Sequence, residues 1–179
     1  VLGHSLGEYA ALVAAGAIRF EDAVKLVRRR GQYMQGAVPL GEGGMAAVLG
    51  LSDDMIKEIC DSVTRESKTG LVQAANFNAP EQVVVAGDNE TLQVLIERCR
   101  ESGAKRSILL NVSAPFHCSL MKPAALKMEE RLSEIEITAP KIPVVQNVTA
   151  AYETDPKSIR RNLVDQVCAP VRWTESVET

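Results

Sequence analysis

The sequence predicts a mixed α/β fold in two parts, a larger core built on a parallel sheet and a small subdomain inserted into it. The chain opens with Gly3-His4-Ser5-Leu6-Gly7, a G-x-S-x-G pattern between an apolar stub and a run of helix formers, typical of an α/β-hydrolase-like core. Further on, the hydrophobic periodicity follows the order βαββαβ, the ferredoxin-like arrangement. We therefore expect an incomplete α/β core of residues 1–41 and 112–179 and a subdomain of residues 42–111.

The composition bounds the class of protein. Of 179 residues, 46% are hydrophobic and 24% charged, and the net charge is −3, which is ordinary for a globular protein. It gives no electrostatic reason to expect nucleic acid or a membrane as partner, and no apolar run could span a bilayer. Four scattered cysteines and two histidines form no metal-ligand spacing, so we expect no metal and reduced thiols in a cytoplasmic protein.

The ends of the sequence suggest a fragment. The chain begins almost at the serine turn and ends in what resembles the start of a helix. A lost presequence would change the expected location from cytoplasmic to organellar.

The opening turn carries the first chemical hypothesis. A sharp strand-to-helix turn would leave no room for side chains at Gly3 and Gly7. It would present the Ser5 hydroxyl near the free N–H groups that begin the next helix, where an oxyanion could be stabilised. Ser5 is therefore a candidate nucleophile, with an ordinary loop serine as the alternative.

The first helix should end at Gly16, and a second helix should cover residues 20–34. Arg30 falls within its apolar stripe. An inward-facing arginine needs an anionic partner, because burying the charge alone is prohibitive. Two alternatives are a structural carboxylate partner and a side chain that reaches out to solvent.

The inserted subdomain is predicted from alternating strand and helix patterns. Strands are expected at 45–49, 71–76, 82–86 and 105–112, and helices at 52–66 and 89–102.

The second histidine, His117, lies where the chain re-enters the larger core, in a loop between a strand and a helix. Pro115 interrupts a strand and Pro123 suits the first turn of a helix, so His117 lies in a strand-to-helix loop, where α/β domains often keep their chemistry. A buried strand at 142–148 and a helix from Asp155 to about 168 follow. His4 adjoins Ser5 and should project elsewhere, which leaves His117 as the candidate base, with a solvated loop histidine as the alternative.

Five short motifs occur in order along the chain: Gly3-His4-Ser5-Leu6-Gly7-Glu8-Tyr9, Arg30-Gly31, Asn76-Phe77-Asn78, Ala114-Pro115-Phe116-His117 and Pro170-Val171-Arg172-Trp173. Their order and approximate spacing resemble those of the malonyl-CoA:acyl carrier protein transacylases of fatty-acid synthesis. The acyltransferase domains of polyketide and fatty-acid synthases share the pattern. The resemblance covers essentially the whole chain.

The resemblance implies roles for single residues. Ser5 would attack the malonyl thioester and His117 would take and return its proton. The backbone N–H of Leu6 would supply half of the oxyanion hole, and the backbone carbonyl of Gln166 would orient His117. Arg30 would bind the malonyl carboxylate. The glutamine that supplies the other half of the oxyanion hole in this family lies in a Gly-Gln-Gly segment that this chain lacks.

The resemblance also implies substrates and partners. Malonyl-CoA would be the substrate, with no bound cofactor, and the phosphopantetheine thiol of acyl carrier protein would be the acceptor in a ping-pong cycle. Phe116 and His4 would contact the substrate, and the Phe116 ring would disfavour an α-methyl branch. The protein would be a monomer.

Four other interpretations remain. An α/β-hydrolase esterase would need an acid before the histidine in the chain, and Asp88 is the one tempting candidate. A patatin-like lipase would use a Ser-Asp pair and would not need Arg30 or His117. The chain could also be a piece of a polyketide synthase, or a fragment that is inactive by itself.

Overall fold

A computed structural model describes all of residues 1–179. Its helices and strands follow one another along the chain as α1 (Leu6–Ala14), α2 (Phe20–Gln35), β1 (Gly43–Leu49), α3 (Asp53–Glu66), β2 (Val72–Ala79), β3 (Gln82–Asp88), α4 (Asn89–Glu101), β4 (Arg106–Leu109), α5 (Lys122–Ser133), β5 (Val144–Gln146), β6 (Ala151–Glu153), α6 (Pro156–Asp165) and α7 (Trp173–Glu178). A short 3-10 helix, Ser119–Met121, precedes α5. The predicted mixed α/β class is confirmed.

Strands β1 to β4 form one antiparallel sheet in the order β2-β3-β1-β4. With α3 and α4 between them, they follow the βαββαβ order that the sequence predicts. The apolar faces of both helices and the sheet close around a cluster of 15 buried residues. This part of the chain therefore has a hydrophobic core of its own.

A second and larger cluster of 20 buried residues joins α1, α2, α5 and α6. Strand β5 lies beside this cluster and pairs antiparallel with β6, a three-residue strand that the sequence analysis did not predict. Residues 142–148 were expected to form one strand, but β5 is confined to Val144–Gln146, and the predicted parallel sheet does not appear among the named strands. One isolated parallel bridge joins Asn76 to Val171.

Local sequence signals account for several helix ends. The side chains of Ser52, Asp88 and Asp155 each accept a hydrogen bond from a backbone N–H in the first turn of α3, α4 and α6, as N-cap residues do. Gly16 follows the C-cap of α1 and has a φ of 73°, the left-handed conformation that commonly terminates a helix. Helix α6 ends at Asp165, earlier than predicted. None of the helices is long and apolar enough to cross a membrane.

Candidate active site

Ser5 occupies a strained turn immediately before α1. Its φ is 52° and its ψ is −106°, a sparsely populated region for a residue with a side chain, and one expected of a nucleophile at a sharp strand-to-helix turn. A Cβ atom on Gly3 would lie 2.0 Å from the backbone oxygen of Gly7, so position 3 must be glycine. A Cβ atom on Gly7 would meet nothing within 4 Å. The expectation that both glycines are needed for close approach is therefore wrong for Gly7.

Asn147 holds this turn from the end of β5. Its Oδ1 accepts a 2.7 Å hydrogen bond from the Ser5 N–H, and its Nδ2 donates to the Gly3 carbonyl at 2.9 Å. The side chain is fully buried. This residue was not predicted from the sequence, although a polar residue within a predicted buried strand was the available signal. Asn147 thus ties both sides of the nucleophile turn to the sheet hairpin.

The His117 ring lies against Ser5 although 112 positions separate them in the chain. Its Nε2 is 2.7 Å from Ser5 Oγ, and its Nδ1 is 2.8 Å from the backbone oxygen of Gln166. A carbonyl can only accept, so Nδ1 carries the proton of the neutral ring and Nε2 presents its lone pair to the serine hydroxyl. Like Ser5, His117 has a positive φ, 60°. The arrangement suits removal of the Ser5 proton.

The Gln166 carbonyl is free for His117 because of a proline. Gln166 follows the last residue of α6 as its C-cap. In a continuing helix its carbonyl would accept the N–H of residue 170, but position 170 is Pro170, which has no N–H. The early end of α6 therefore leaves an acceptor that the histidine uses.

Burial and charge keep His117 neutral. The side chain is 5% exposed, and burial, reinforced by the positive charge of Arg30, lowers its pKa to about 4. The ring is thus an unprotonated acceptor near neutral pH. The hypothesis of a solvated loop histidine does not fit this environment.

Arg30 points from α2 into the same site. Its side chain is 5% exposed, and its Nη2 donates to Ser5 Oγ and to Gln166 Oε1, each at 2.9 Å. No carboxylate lies within ion-pair distance of it, and its Nε has no hydrogen-bond partner. Both alternatives, a structural carboxylate and a solvated side chain, are therefore wrong. The site contains a buried cation with unused donor capacity.

Glu8 is a buried acid that the sequence analysis did not single out. Its Oε2 accepts 2.9 Å hydrogen bonds from the Asn147 N–H and from Gln166 Nε2. The residue has no exposed surface, and burial raises its pKa to about 7 in spite of these two donors. Glu8 lies one helical turn before the buried Leu12, so an acid within an apolar face was the signal.

Leu6 contributes a free backbone donor. Its N–H is the first amide of α1, and the next two amides already donate to the carbonyls of His4 and Ser5. The first N–H groups of a helix have no intrahelical partner. The Leu6 N–H beside Ser5 is therefore able to donate to an oxyanion formed there.

Ser5, Arg30 and His117 open into one cavity of about 450 Å³, within the size range of small-molecule sites. His4 lies in the cavity wall, with Nε2 2.8 Å from Asn78 Oδ1 and its ring centroid 5.1 Å from that of Trp173, and it forms no hydrogen bond with the Ser5 hydroxyl. The residues that line the cavity are His4, Ser5, Arg30, Gly31, Met34, Gln35, Met45, Asn76, Val84, Leu110, Phe116 and His117. No cluster of three or more His, Cys, Asp or Glu side chains is placed to bind a metal ion.

Comparison with known proteins identifies the family. Residues 1–179 match the model of the acyl transferase domain. The chain belongs to the acyl transferase domain family. The resemblance predicted from the five motifs is thereby confirmed.

Individual relatives are similar over nearly all of this acyl transferase chain. The malonyl CoA-acyl carrier protein transacylase of Salmonella typhimurium is 52% identical over 177 residues, which are 98% of this chain and 56% of that protein. A solved acyl-carrier-protein S-malonyltransferase of Burkholderia pseudomallei is 54% identical, with a TM-score of 0.95, covering 99% of this chain and 57% of its own. A malonyl-transacylase solved in complex with a type II polyketide synthase acyl-carrier protein is 47% identical, with a TM-score of 0.94 and coverage of 99% and 56%. The chain therefore spans little more than half the length of these relatives.

Proposed function

We propose that this chain carries the nucleophile, base and carboxylate-binding residue of an enzyme that transfers a malonyl group from malonyl-CoA to acyl carrier protein. One observation carries the proposal. Ser5 Oγ lies within hydrogen-bond distance of both a neutral histidine and a buried arginine that has no carboxylate partner. A serine esterase needs the first contact and has no use for the second.

In the first half-reaction, Ser5 Oγ attacks the thioester carbonyl of malonyl-CoA while its proton passes to His117 Nε2. The Leu6 N–H donates to the resulting oxyanion. When the tetrahedral intermediate collapses, the C–S bond breaks and His117 returns the proton to the CoA sulfur. The products are a malonyl-Ser5 ester and free CoA.

Arg30 accounts for the preference for an acyl group that carries a free carboxylate. A guanidinium group binds a carboxylate through two parallel hydrogen bonds, and no carboxylate of the protein forms an ion pair with Arg30. Phe116, in the wall of the same cavity, fills space beside the reacting carbonyl. The ring would disfavour a branch at the α-carbon.

The second half-reaction reverses the first with another thiol. The phosphopantetheine thiol of acyl carrier protein attacks the ester, His117 removes the thiol proton, and the same proton is returned to Ser5 Oγ as the C–O bond breaks. The relative solved with an acyl-carrier protein supports this acceptor. The carrier in that complex belongs to a polyketide synthase. Malonyl transfer in polyketide synthesis is therefore the alternative role.

Nothing in the site favours a hydrolase. The Nδ1 of His117 meets a backbone oxygen rather than a carboxylate, so Asp88 is not needed as a third member. Asp88 instead caps α4. A patatin-like Ser-Asp pair would leave the His117 contact without a role.

We propose the α/β-hydrolase-like parallel sheet for the larger core. Val1 donates from its backbone nitrogen to the Pro143 carbonyl and accepts from the Val145 N–H, which is the hydrogen-bond pattern of a parallel pair. The two larger hydrophobic clusters support the division into a core of residues 1–41 and 112–179 and a subdomain of residues 42–111. The monomeric state, the cytoplasmic location and the lack of cofactor, nucleic-acid and membrane partners stay predictions.

The direct test is transfer itself. The full-length gene product is mixed with malonyl-CoA and phosphopantetheine-bearing acyl carrier protein, and the mass of the carrier is followed by intact-protein spectrometry. We expect a malonyl adduct on the carrier that requires both Ser5 and the phosphopantetheine group. Release of free malonate and CoA with an unmodified carrier would show a hydrolase instead.

A further inference from the structure

Glu8 takes no part in the proposed reaction, yet it connects the groups that do. It is fully buried, and its Oε2 receives one hydrogen bond from the Gln166 side chain and one from the Asn147 backbone. Its other oxygen, Oε1, has no partner. A buried carboxylate is costly to keep.

The first hydrogen bond fixes the orientation of the Gln166 amide. Gln166 Nε2 donates to Glu8 Oε2 at 2.9 Å and to the Ser5 carbonyl at 3.0 Å, and its Oε1 accepts from Arg30 Nη2 at 2.9 Å. Turning the amide over would set an oxygen against two acceptors and an NH₂ group against the guanidinium. Glu8 and the Ser5 carbonyl together thus leave the amide a single orientation, with its oxygen toward Arg30.

The Gln166 oxygen in turn locates the guanidinium of Arg30. That group has no carboxylate partner, and its recorded hydrogen bonds are those to Gln166 Oε1 and Ser5 Oγ. The serine oxygen is the reacting atom, and its hydrogen bonding changes during the reaction. Gln166 is therefore the one fixed hydrogen-bond acceptor for the cation.

We propose that Glu8 is a positioning residue for substrate selection, which orients the Gln166 amide so that this amide holds Arg30 where it meets the substrate carboxylate. The inference rests on the proposed malonyl transfer. Glu8 touches neither the substrate nor the reacting atoms. It acts through Gln166, and its effect should appear in the choice between acyl groups.

Replacing Glu8 with glutamine separates its role as a hydrogen-bond acceptor from its negative charge. A glutamine at position 8 would still present one oxygen able to accept from both Gln166 and Asn147, and its NH₂ group would take the place of the unpartnered Oε1. Leucine at position 8 fills a similar volume and accepts neither hydrogen bond. Glu8→Gln should therefore preserve the amide orientation, and Glu8→Leu should weaken it.

The test compares two thioesters that differ in the carboxylate. Using the full-length gene product, kcat/KM for Ser5 acylation is measured with malonyl-CoA and acetyl-CoA in wild type, Glu8→Gln and Glu8→Leu. We expect Glu8→Leu to lower the malonyl-to-acetyl ratio by roughly tenfold or more, the scale of one hydrogen bond to a charged group. Glu8→Gln should keep the ratio within about threefold of wild type, since its acceptor remains.

A second variant keeps the test decisive if Glu8→Leu does not fold. Gln166→Leu removes the amide and keeps the backbone carbonyl, and it should lower the same ratio to a similar extent. In the Glu8→Leu/Gln166→Leu double variant the ratio should fall no further than in Gln166→Leu alone.

An unchanged ratio in Gln166→Leu, or equal losses with both thioesters in Glu8→Leu, would overturn the inference and leave malonyl transfer standing. If wild type forms no malonyl adduct, the proposed function fails, and the inference fails with it.

Discussion

The Nδ1 atom of His117 lies 2.8 Å from the backbone oxygen of Gln166. A neutral carbonyl, freed from helix hydrogen bonding by Pro170, therefore holds the ring in the tautomer that accepts a proton from Ser5. A carboxylate in the same place would raise the pKa of the histidine. Here burial and Arg30 lower it to about 4.

This environment predicts an unusual pH profile for acylation. The pKa of a free histidine is ~6.5, and a lowered pKa means that folded His117 stays unprotonated until the pH falls toward about 4. The rate of Ser5 acylation, followed by rapid quench and intact mass, should therefore show no loss of activity with a midpoint near 6.5 as the pH falls.

The control for this profile is Glu8→Gln, which removes a buried carboxyl group whose pKa is raised to about 7. The acid limb should be the same in this variant because it belongs to His117. An acid limb centred near pH 6.5 in both proteins would contradict the account of the base.

The two glycines of the serine turn, Gly3 and Gly7, should differ sharply in how well they tolerate substitution by alanine. Gly3→Ala sets a Cβ atom against the backbone of Gly7, and such overpacking costs about 1–3 kcal/mol or more of folding free energy. Gly7→Ala meets open space within α1, and alanine in a helix is favoured over glycine by roughly 0.5–1 kcal/mol. Thermal unfolding and acylation by malonyl-CoA should both show the contrast. Equal losses in the two variants would contradict it.

Arg30→Ala should separate malonyl from acetyl transfer. Loss of hydrogen bonds to a charged group costs about 1.5–3 kcal/mol, so kcat/KM with malonyl-CoA should fall by roughly 10- to 100-fold or more. Acetyl-CoA has no carboxylate for Arg30 to bind, and its kcat/KM should fall far less. Arg30→Lys serves as the matched control that keeps the charge and loses the planar fork. Equal losses with both thioesters in Arg30→Ala would place Arg30 in a structural role.

Phe116→Ser should relax the preference against branched substrates. Removing the ring opens the cavity wall, and one methyl group in an apolar pocket is worth about 1–3 kcal/mol of discrimination. The ratio of methylmalonyl to malonyl transfer, measured in competition, should therefore rise by roughly 10-fold or more. Phe116→Leu, which retains much of the bulk, should change it less. A ratio that does not move in Phe116→Ser would exclude the steric explanation.

The sequence predicted the site best where a residue broke the local pattern. Ser5 stood between two glycines, Arg30 interrupted an apolar stripe, and His117 was the one remaining histidine in a strand-to-helix loop. The structure brings all three together around one cavity. Their roles in catalysis stay predictions until they are measured.

Long-range contacts were harder to predict. The same reasoning that singled out Arg30 would have found Glu8, because both are charged residues on buried helix faces. Asn147 could not be assigned a partner, since its hydrogen bonds reach residues more than 140 positions away. Strand β6 was missed because three residues are too few for a periodic pattern.

The most direct measurement is the mass of the full-length gene product after brief incubation with malonyl-CoA, compared with Ser5→Ala. The account predicts one malonyl adduct on the wild type, mapped to the Ser5 peptide, and none on the variant. No adduct on a well-folded wild type, or an equal adduct on Ser5→Ala, would contradict a malonyl-serine intermediate.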